Sequence, residues 1–352
     1  MSKLLKILGR SVSISAEWIL IVILFSVFAI RSHMVQTFLG EKVTNYLSDE
    51  LNAELSIGAI EFVFFDEVYL KDISIIDPKG QRLLSLKELK VEMDQFAFFQ
   101  SDLVLNSVFL NEGEIDINRR LEDGQYNYQF ILDYFSTENP KRSTKNIFEI
   151  KKVTFSNINF RYDDKRHKSI DHGVDFNHLF LNDLSIDLSG LFIGDKLITA
   201  KIADLHFKEQ SGFILEHFKS ELRITDKQIG LSGLIIESEN SKIHSPLFEL
   251  NYKSWSSFDS FNKSVAFNSF IDSSLVSMAD IAYFAPSLKG MKDVITVQGQ
   301  VINSIDDLEV LGLELAFGNK SLLKGDFQLP DFSVPVERAF TQFIKSAFID
   351  LS

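Results

Sequence analysis

The sequence predicts a mainly β protein with one elongated, curled antiparallel sheet that forms a groove, a few amphipathic helices and, before them, an N-terminal transmembrane helix. Three observations predict this fold. An apolar run lies near the start of the chain, and an octet with an interrupted alternating pattern recurs along it. From Ile57 onward, short apolar-polar alternations are separated by polar turns. With 352 residues, 45% of them hydrophobic, the chain is long enough to bury a sizeable core.

The composition excludes several classes of function. The net charge is −13 and the Lys and Arg residues are scattered, whereas a nucleic-acid-binding protein gathers them in a basic stripe. The absence of cysteine excludes disulfides, thiolate metal ligands and thiol nucleophiles. Phenylalanine dominates the aromatic residues, with 33 Phe against 8 Tyr and 2 Trp. Because Phe adds apolar area without a polar group, the composition favours a surface that stays dry.

The first 32 residues predict a membrane anchor. Residues 1–11 carry three basic side chains and predict a cytoplasmic tail, and residues 12–32 predict a transmembrane helix. The basic excess before the apolar run, against Arg31 and Lys42 after it, places the rest of the chain outside the cytoplasm. The residues predicted to lie in the membrane are Trp18, Ile19, Leu20, Ile21, Val22, Ile23, Leu24, Phe25, Val27, Phe28 and Ile30.

Two other interpretations of this segment stay open. A secretory signal peptide also has a basic start and a short apolar core, and Val27-Phe28-Ala29 offers a cleavage site. A buried helix of a soluble domain is the other. The helical pattern continues without a polar break as far as Leu51, which favours an uncleaved anchor.

The rest of the chain divides into segments by its periodicity. An amphipathic helix is predicted first, either packed on the end of the sheet or lying on the membrane surface. Two β-groove segments follow, separated by a polar linker, and their helices are predicted to plug or cap apolar sheet surface. The boundaries are 33–55 for the helix, 56–136 for the first segment with a helix at 126–135, 137–145 for the linker, and 146–352 for the second segment with helices near 277–285 and 336–348.

The octet VYLKDISI, residues 68–75, predicts a bent strand. Lys71 and Asp72 interrupt the alternation, so that the apolar positions shift from even to odd numbers. A strand that keeps one face buried across such a shift needs a β-bulge or a tight bend. Repeated bends curl a long sheet into a trough. Related segments lie at 155–160, 181–188, 231–236 and, less closely, 110–117.

No pattern predicts catalysis. His167, His172 and His178 share a polar stretch, but their spacing fits no standard set of metal ligands. Ser321-Leu-Leu-Lys324 lacks the partner motifs of penicillin-recognising enzymes. Phosphate-binding glycine loops, nucleophile elbows and zinc-binding helices are absent from the sequence. We therefore expect no catalytic residue, no metal and no cofactor.

The order of these patterns resembles the TamB branch of the AsmA-like family. The resemblance begins at YLSDELNAELSIGAIEF and VYLKDISIIDPKGQRLLSLKELKVEMD, and it continues through VTFSNINFRYDD and LSGLIIESENSKIHSPLFELNYKSW to KGDFQLPDF. It covers most of the chain, and it rests on strand-and-turn order because none of these segments carries a catalytic signature.

This resemblance implies an inner-membrane protein, anchored by a single pass, whose β-taco lies in the periplasm and encloses an apolar groove. AsmA-like proteins are similar to eukaryotic bridge-like lipid-transfer proteins. The implied partners are membrane phospholipids, which the groove would carry between the inner and outer membranes. The implied alternative is an assembly factor for outer-membrane proteins, acting with a BamA-type barrel such as TamA. An anchored adaptor is a third, weaker alternative.

A lipid groove would be lined by one face of each bent strand. The same residues could equally form the core of a closed sandwich, and both interpretations stay open. The residues predicted to line the groove are Val68, Leu70, Ile73, Ile75, Val153, Phe155, Ile158, Phe160, Leu184, Ile186 and Leu188.

The predicted groove is short for a bridge between membranes. Fifteen to twenty strands at about 4.8 Å spacing give roughly 70–95 Å. The final residues FIKSAFIDLS read like the start of another strand, and the family's carboxy-terminal domain is missing. We therefore expect the chain to be the amino-terminal part of a longer protein.

Overall fold

The structure, a computed structural model, describes residues 33–63, 66–93, 103–136, 148–318, 321–330 and 346–350. These residues form one fifteen-stranded sheet whose strand order follows the chain from β1 to β15. Within the described residues, the two edge strands do not pair with each other, so the sheet is not closed. The prediction of a mainly β protein is confirmed. The predicted anchor, residues 12–32, lies outside the described residues.

The first part of the sheet is flanked by two helices. Helix α1 (His33–Leu51) leads directly into β1, and helix α2 (Gln129–Ser136) follows β4. The strands here are β1 (Glu54–Val63), β2 (Glu67–Ile76), β3 (Arg82–Met93) and β4 (Leu103–Arg119).

The second part continues the same sheet with longer strands and short helical turns. The strands are β5 (Phe148–Asp164), β6 (His178–Gly194), β7 (Leu197–Glu209), β8 (Ile214–Thr225), β9 (Gln228–Ser238), β10 (Lys242–Tyr252), β11 (Val265–Ser277), β12 (Val294–Asn303), β13 (Asp307–Phe317), β14 (Ser321–Pro330) and β15 (Ser346–Asp350). A 3₁₀ turn (Trp255–Ser260) and α3 (Phe261–Ser264) join β10 to β11, and α4 (Met278–Ile281) and a 3₁₀ turn (Pro286–Leu288) join β11 to β12.

One strand pair corrects the predicted topology. β4 and β5 pair in parallel, from Leu103 with Phe148 to Arg119 with Asp164, while every other pair of neighbouring strands is antiparallel. A parallel pair requires the chain to return to the end of the sheet where it started, and α2 lies in that connection. The two predicted β segments are therefore joined side by side in a single sheet.

The observed helices differ in extent from the predicted ones. Helix α1 ends at Leu51, because Asn52 adopts a positive φ of 48° and β1 begins two residues later. The helix predicted near 277–285 is a single turn followed by a 3₁₀ turn. Most of the helix predicted at 336–348 lies outside the described residues, and its last three residues belong to β15. Among the helices that the structure describes, none is long and apolar enough to cross a membrane.

Candidate functional site

The sheet has one face, here called the apolar face, whose residues follow from the strand register. Antiparallel and parallel partners place their side chains on the same side of a sheet. One row of paired residues across β1 to β6 is Ile57, Ile73, Leu86, Gly113, Ile158 and Leu184. A second row across β1 to β7 is Ile60, Leu70, Leu89, Leu110, Phe155, Ile186 and Leu205.

The first half of the apolar face is deeply buried. Ile158 is fully buried, and the exposed fraction of Leu86 is 3%. Both belong to a cluster of packed side chains drawn from β1 to β7. A second cluster around Val153 and Leu105 lies further toward the start of β4 and β5. Continuous apolar packing therefore runs across the strands as well as along them.

The predicted lining residues fall on this face. Ile73, Ile158 and Leu184 form the buried centre of the first cluster, and Val153 belongs to the second. The other predicted residues that pack against these clusters are Leu70, Phe155, Phe160, Ile186 and Leu188. Val68 and Ile75 belong to neither cluster, but their partners in β3, Val91 and Leu84, do pack there. The role of these residues in binding a ligand stays a prediction.

The apolar face continues through the second half of the sheet. One row there is Leu222, Leu231, Phe248, Ser269, Val301, Val310 and Phe327, from β8 to β14. This row was not predicted from the sequence, although the alternation of apolar residues along each strand is the signal that indicates it. Ser269 interrupts it, and its hydroxyl lies 3.4 Å from that of Ser245 on β10.

The opposite face carries charges in cross-strand pairs. Lys71 on β2 lies 2.7 Å from Glu61 on β1, and Lys324 on β14 lies 2.7 Å from Glu314 on β13. These side chains are half-exposed, so each pair contributes little to stability. This face, here called the wet side, also exposes the apolar side chains of Leu247, Phe270 and Leu311.

Each predicted bend contains a residue with positive φ, which confirms the bends. These residues lie near the middle of their strands, where the alternation of apolar residues changes parity. They are Asp72 (51°), Glu112 (47°), Asn157 (54°), Asp183 (53°) and Gly233 (60°). Ser273 on β11 and Gly312 on β13 have the same conformation and were not predicted. On the wet side, Lys87 pairs with Glu112 at 2.7 Å and Lys208 with Asp183 at 2.9 Å, linking neighbouring strands at the bends.

Gly113 allows a close approach in the first row. A Cβ at this position would overlap the carbonyl oxygen of Ser85 and would lie 2.9 Å from the Cα of Leu86. Any side chain here would push β3 and β4 apart. The glycine therefore keeps the row continuous between Leu86 and Ile158.

Three chain connections interlock at the strand ends, here called the cap: residues 165–177, 210–213 and 278–291. The Val174 amide donates a hydrogen bond of 2.8 Å to the carbonyl of Tyr283. The ring of Phe213 meets Phe284 edge-on at 5.0 Å and Tyr283 at 5.8 Å. The cap therefore joins segments that follow β5 and β11, far apart in the strand order.

Asp280 fastens the cap to the turn between β9 and β10. Its buried carboxylate accepts hydrogen bonds of 2.6 Å from the hydroxyls of Ser238 and Ser241, and one of 3.1 Å from the amide of Asn240. Burial raises the pKa of Asp280, but these hydrogen bonds together outweigh it, so the net pKa is lowered. The carboxylate is therefore held in its charged form.

His178, the first residue of β6, forms hydrogen bonds with β5 and with the loop that follows β5. Its Nδ1 lies 2.7 Å from a carboxylate oxygen of Asp163, and its Nε2 lies 3.1 Å from the carbonyl oxygen of His167. Both partners are acceptors, so the arrangement favours an imidazolium that donates from both nitrogens. Burial lowers the pKa of His178, but the bonds to Asp163 and His167 and the charge of Asp175 raise it more, and the net pKa is raised.

A second aromatic group lies at the other end of the strands, between β10 and β11. Trp255, Phe258 and Phe261 follow one another along the helical turns. The Tyr252 ring lies 4.9 Å from Phe258, and Phe261 meets Phe267 edge-on at 6.0 Å. Aromatic groups thus flank the second half of the apolar face at both strand ends.

This arrangement can hold apolar chains along a continuous surface. Of the three histidines in the polar stretch, His178 is hydrogen-bonded to Asp163 and to the backbone of His167. No protein-family model matches the chain, and no curated protein matches it in sequence.

Proposed function

We propose that this chain is a membrane-anchored envelope protein whose sheet curls into a groove for phospholipid acyl chains. As in the TamB branch of the AsmA-like family, the anchor would lie in the inner membrane, the N-terminus in the cytoplasm and the body in the periplasm. The groove would carry phospholipids between the inner and outer membranes without any catalytic chemistry.

The observation that carries this proposal is the continuity of the apolar face. Rows of paired residues cross β1 to β7 and β8 to β14, from Ile60 at one end to Phe327 at the other. At about 4.8 Å per strand, fifteen strands extend roughly 70 Å. Arg119 and Asp164 follow the alternation of this face, but they lie at the strand ends and pair with each other. An apolar surface of this length suits a ligand that slides, since burial of apolar area is nearly equal at each step.

The depth of burial supports the curl. A flat single-layered sheet leaves both faces open to water, yet Ile158 in the middle of the sheet is fully buried and Leu184 is 6% exposed. Residues with positive φ recur from β2 to β13, and bends of this kind increase the local twist that curls a sheet.

Site-specific photo-crosslinking tests this proposal. A benzophenone amino acid replaces Phe155 on β5 or Phe327 on β14 in the full chain, within native membranes. Adducts with phospholipid are expected at both positions. The matched controls are Thr154 and Gln328, the adjacent residues on the opposite face of the same strands, where no lipid adduct is expected. The proposal is overturned if no lipid adduct forms at either Phe position, or if the controls form as much adduct as the Phe positions do.

The open edge of the sheet favours a second function. Among the described strands, β1 pairs only with β2, so the other edge of its backbone, apart from Leu55, which Ser48 contacts, can add a strand from a partner. An assembly factor would use this edge to hold a nascent strand or a barrel of the BamA type. A crosslinker at the exposed Ser56 would then capture an outer-membrane protein, with no lipid at Phe155 or Phe327.

A further inference from the structure

The two sides of α1 differ in an unusual way. Its 19 residues form a helix of about 28 Å. The side that packs on the sheet carries a glycine, two leucines and three polar residues, whereas the side turned away from it carries large apolar residues among polar and charged ones. The packed residues are Gln36, Gly40, Thr44, Leu47, Ser48 and Leu51.

The packed side holds α1 against β1. Gly40 is buried, and a Cβ there would lie 3.4 Å from Cγ1 of Ile60, a residue of the apolar face. At the other end of the helix, the amide of Leu55 donates a hydrogen bond of 3.1 Å to the hydroxyl of Ser48. Two contacts therefore hold the helix on β1: the packing of Gly40 against Ile60 and the hydrogen bond between Leu55 and Ser48.

The outer side exposes an aromatic stripe. Phe38 is 56% exposed and Tyr46 59%, and Lys42 lies between them with its ammonium 5.8 Å from the centre of the Phe38 ring. Val43, on the same half of the helix, is 42% exposed. The acidic residues of the last turn, Asp49 and Glu50, lie beyond the stripe. These exposures remain after α1 has made its contacts with β1 and α2.

Aromatic side chains interleaved with lysine suit the interface of a bilayer. Aromatic rings prefer the level of the lipid headgroups, and the lysine stem lies along apolar surface while its ammonium reaches the phosphates. The sequence places a bilayer within reach, because the apolar run ends at Ile30 and α1 begins at His33. A fully extended chain covers no more than about 10 Å over these three residues.

We propose that the stripe Phe38, Lys42, Val43 and Tyr46 lies on the surface of the phospholipid bilayer that holds the anchor; this rests on the proposed anchoring. Between Phe38 and Tyr46 the helix rises about 12 Å. The headgroup layer on each side of the hydrocarbon is only about 5–8 Å thick. An upright helix would carry Tyr46 beyond that layer, so α1 lies along the membrane.

This orientation has a consequence for the sheet. Gly40 of α1 packs against Ile60 of β1. If α1 lies on the bilayer, the apolar face of β1 therefore lies at the level of the headgroups. The second row of the apolar face, which begins at Ile60, then starts where a lipid leaves the membrane.

Fluorescence quenching in vesicles tests the proposal. Trp18 and Trp255 are replaced by Phe in the full chain, and single tryptophans are introduced as Phe38→Trp or Tyr46→Trp. The controls are Leu121→Trp and Phe176→Trp, at exposed positions elsewhere, 64% and 67% exposed. In vesicles of phosphatidylcholine and phosphatidylglycerol with bromine on the upper acyl carbons, quenching of about twofold or more is expected at 38 and 46 but not at the controls, since an interfacial helix buries its apolar side to about 5–10 Å.

Three results would overturn the inference, and they are distinguishable. If alkaline carbonate fails to extract the chain but both α1 tryptophans are quenched no more than the controls, the anchor stands and the stripe faces something other than lipid. If carbonate extracts the chain, both the proposed membrane anchor and the proposed membrane contact of the stripe are contradicted. The lipid adducts at Phe155 and Phe327 report separately on the groove. A benzophenone at Phe38 that captures a protein in cells instead of lipid also contradicts the inference.

Discussion

At the scale of single residues, the backbone conformation at the bends restricts which residue types can occupy them. Asn157 has a φ of 54°, and its side chain is exposed, so its backbone conformation rather than its packing decides which residues fit. Asparagine tolerates the left-handed region better than most residues, and β-branched residues tolerate it worst.

We predict that Asn157→Val lowers the free energy of unfolding by about 1–2 kcal/mol, because valine is strained at positive φ. Asn157→Gly should be neutral or slightly stabilising, since glycine adopts this conformation without strain. Urea unfolding measures both changes. Asn159→Val, two residues along the same strand with ordinary strand geometry, is the control. Equal effects at 157 and 159 would mean that the bend is not needed.

His178 makes the stability depend on pH. Its folded pKa is raised above the unfolded value, so its contribution is complete below about pH 6.5 and is lost as the pH rises through the folded pKa. We expect His178→Gln to cost about 1–2 kcal/mol at pH 5.5, where charged hydrogen bonds are lost, and less at pH 9. Unfolding of both proteins in urea across this range measures the difference. A constant difference between pH 5.5 and pH 9 would contradict the charged state. His217→Gln is the control. Its pair with Asp204 is half-exposed, so this substitution should change the free energy of unfolding little at either pH.

At the scale of elements, one carboxylate of the cap, that of Asp280, joins residues 278–291 to the turn between β9 and β10. Asp280→Ala leaves Ser238 and Ser241 without their acceptor and should cost about 1–3 kcal/mol of local stability. We expect faster amide exchange at residues 278–288 and 239–241, with the rest of the sheet unchanged. Asp272→Ala, an exposed residue of the adjoining β11, should leave these rates as they are.

Acid should also destabilise the cap, because protonation of Asp280 weakens the same hydrogen bonds. The folded pKa of Asp280 is lowered, so its contribution is present above the ordinary Asp value of about 3.9 and is lost as the pH falls through the folded value. Exchange at the cap that does not respond to acid would show that the carboxylate is not the fastening group.

The elements that the sequence predicted are those set by local pattern. The parity shift at Lys71 and Asp72 is visible within eight residues, and the strand bends there because burial of one face allows no other path. Ser273 was missed because its neighbours Asp272 and Ser274 give no apolar alternation to interrupt.

Features that depend on distant segments left no local signal. The parallel pairing of β4 with β5 depends on where the chain goes between Arg119 and Phe148, and no periodicity encodes that path. The bond between Val174 and Tyr283 joins residues more than a hundred positions apart, and it forms only once the sheet has brought their loops together. The lining residues were predicted strand by strand, and the register alone joins them into rows.

At the scale of the whole molecule, strands that neighbour each other in sequence are also neighbours in the sheet, so the apolar face has no alternative route around a blocked strand. A conduit fails when it is blocked at any point, whereas a scaffold fails only where its partner binds. This difference separates the two proposed functions without knowledge of the partner.

We predict that Val297→Lys on β12 or Leu315→Lys on β13 each slow phospholipid transfer between vesicles by about tenfold or more. A barrier of only about 1.4 kcal/mol gives a tenfold decrease, and a charge among acyl chains costs more than this. The controls are Thr296→Lys and Ala316→Lys, the exposed neighbours on the opposite face of the same strands. Circular dichroism must first show that each variant keeps the β content of the parent chain. Transfer that survives both apolar-face lysines, with folding intact, would rule out the conduit and leave the open edge of β1 as the working surface.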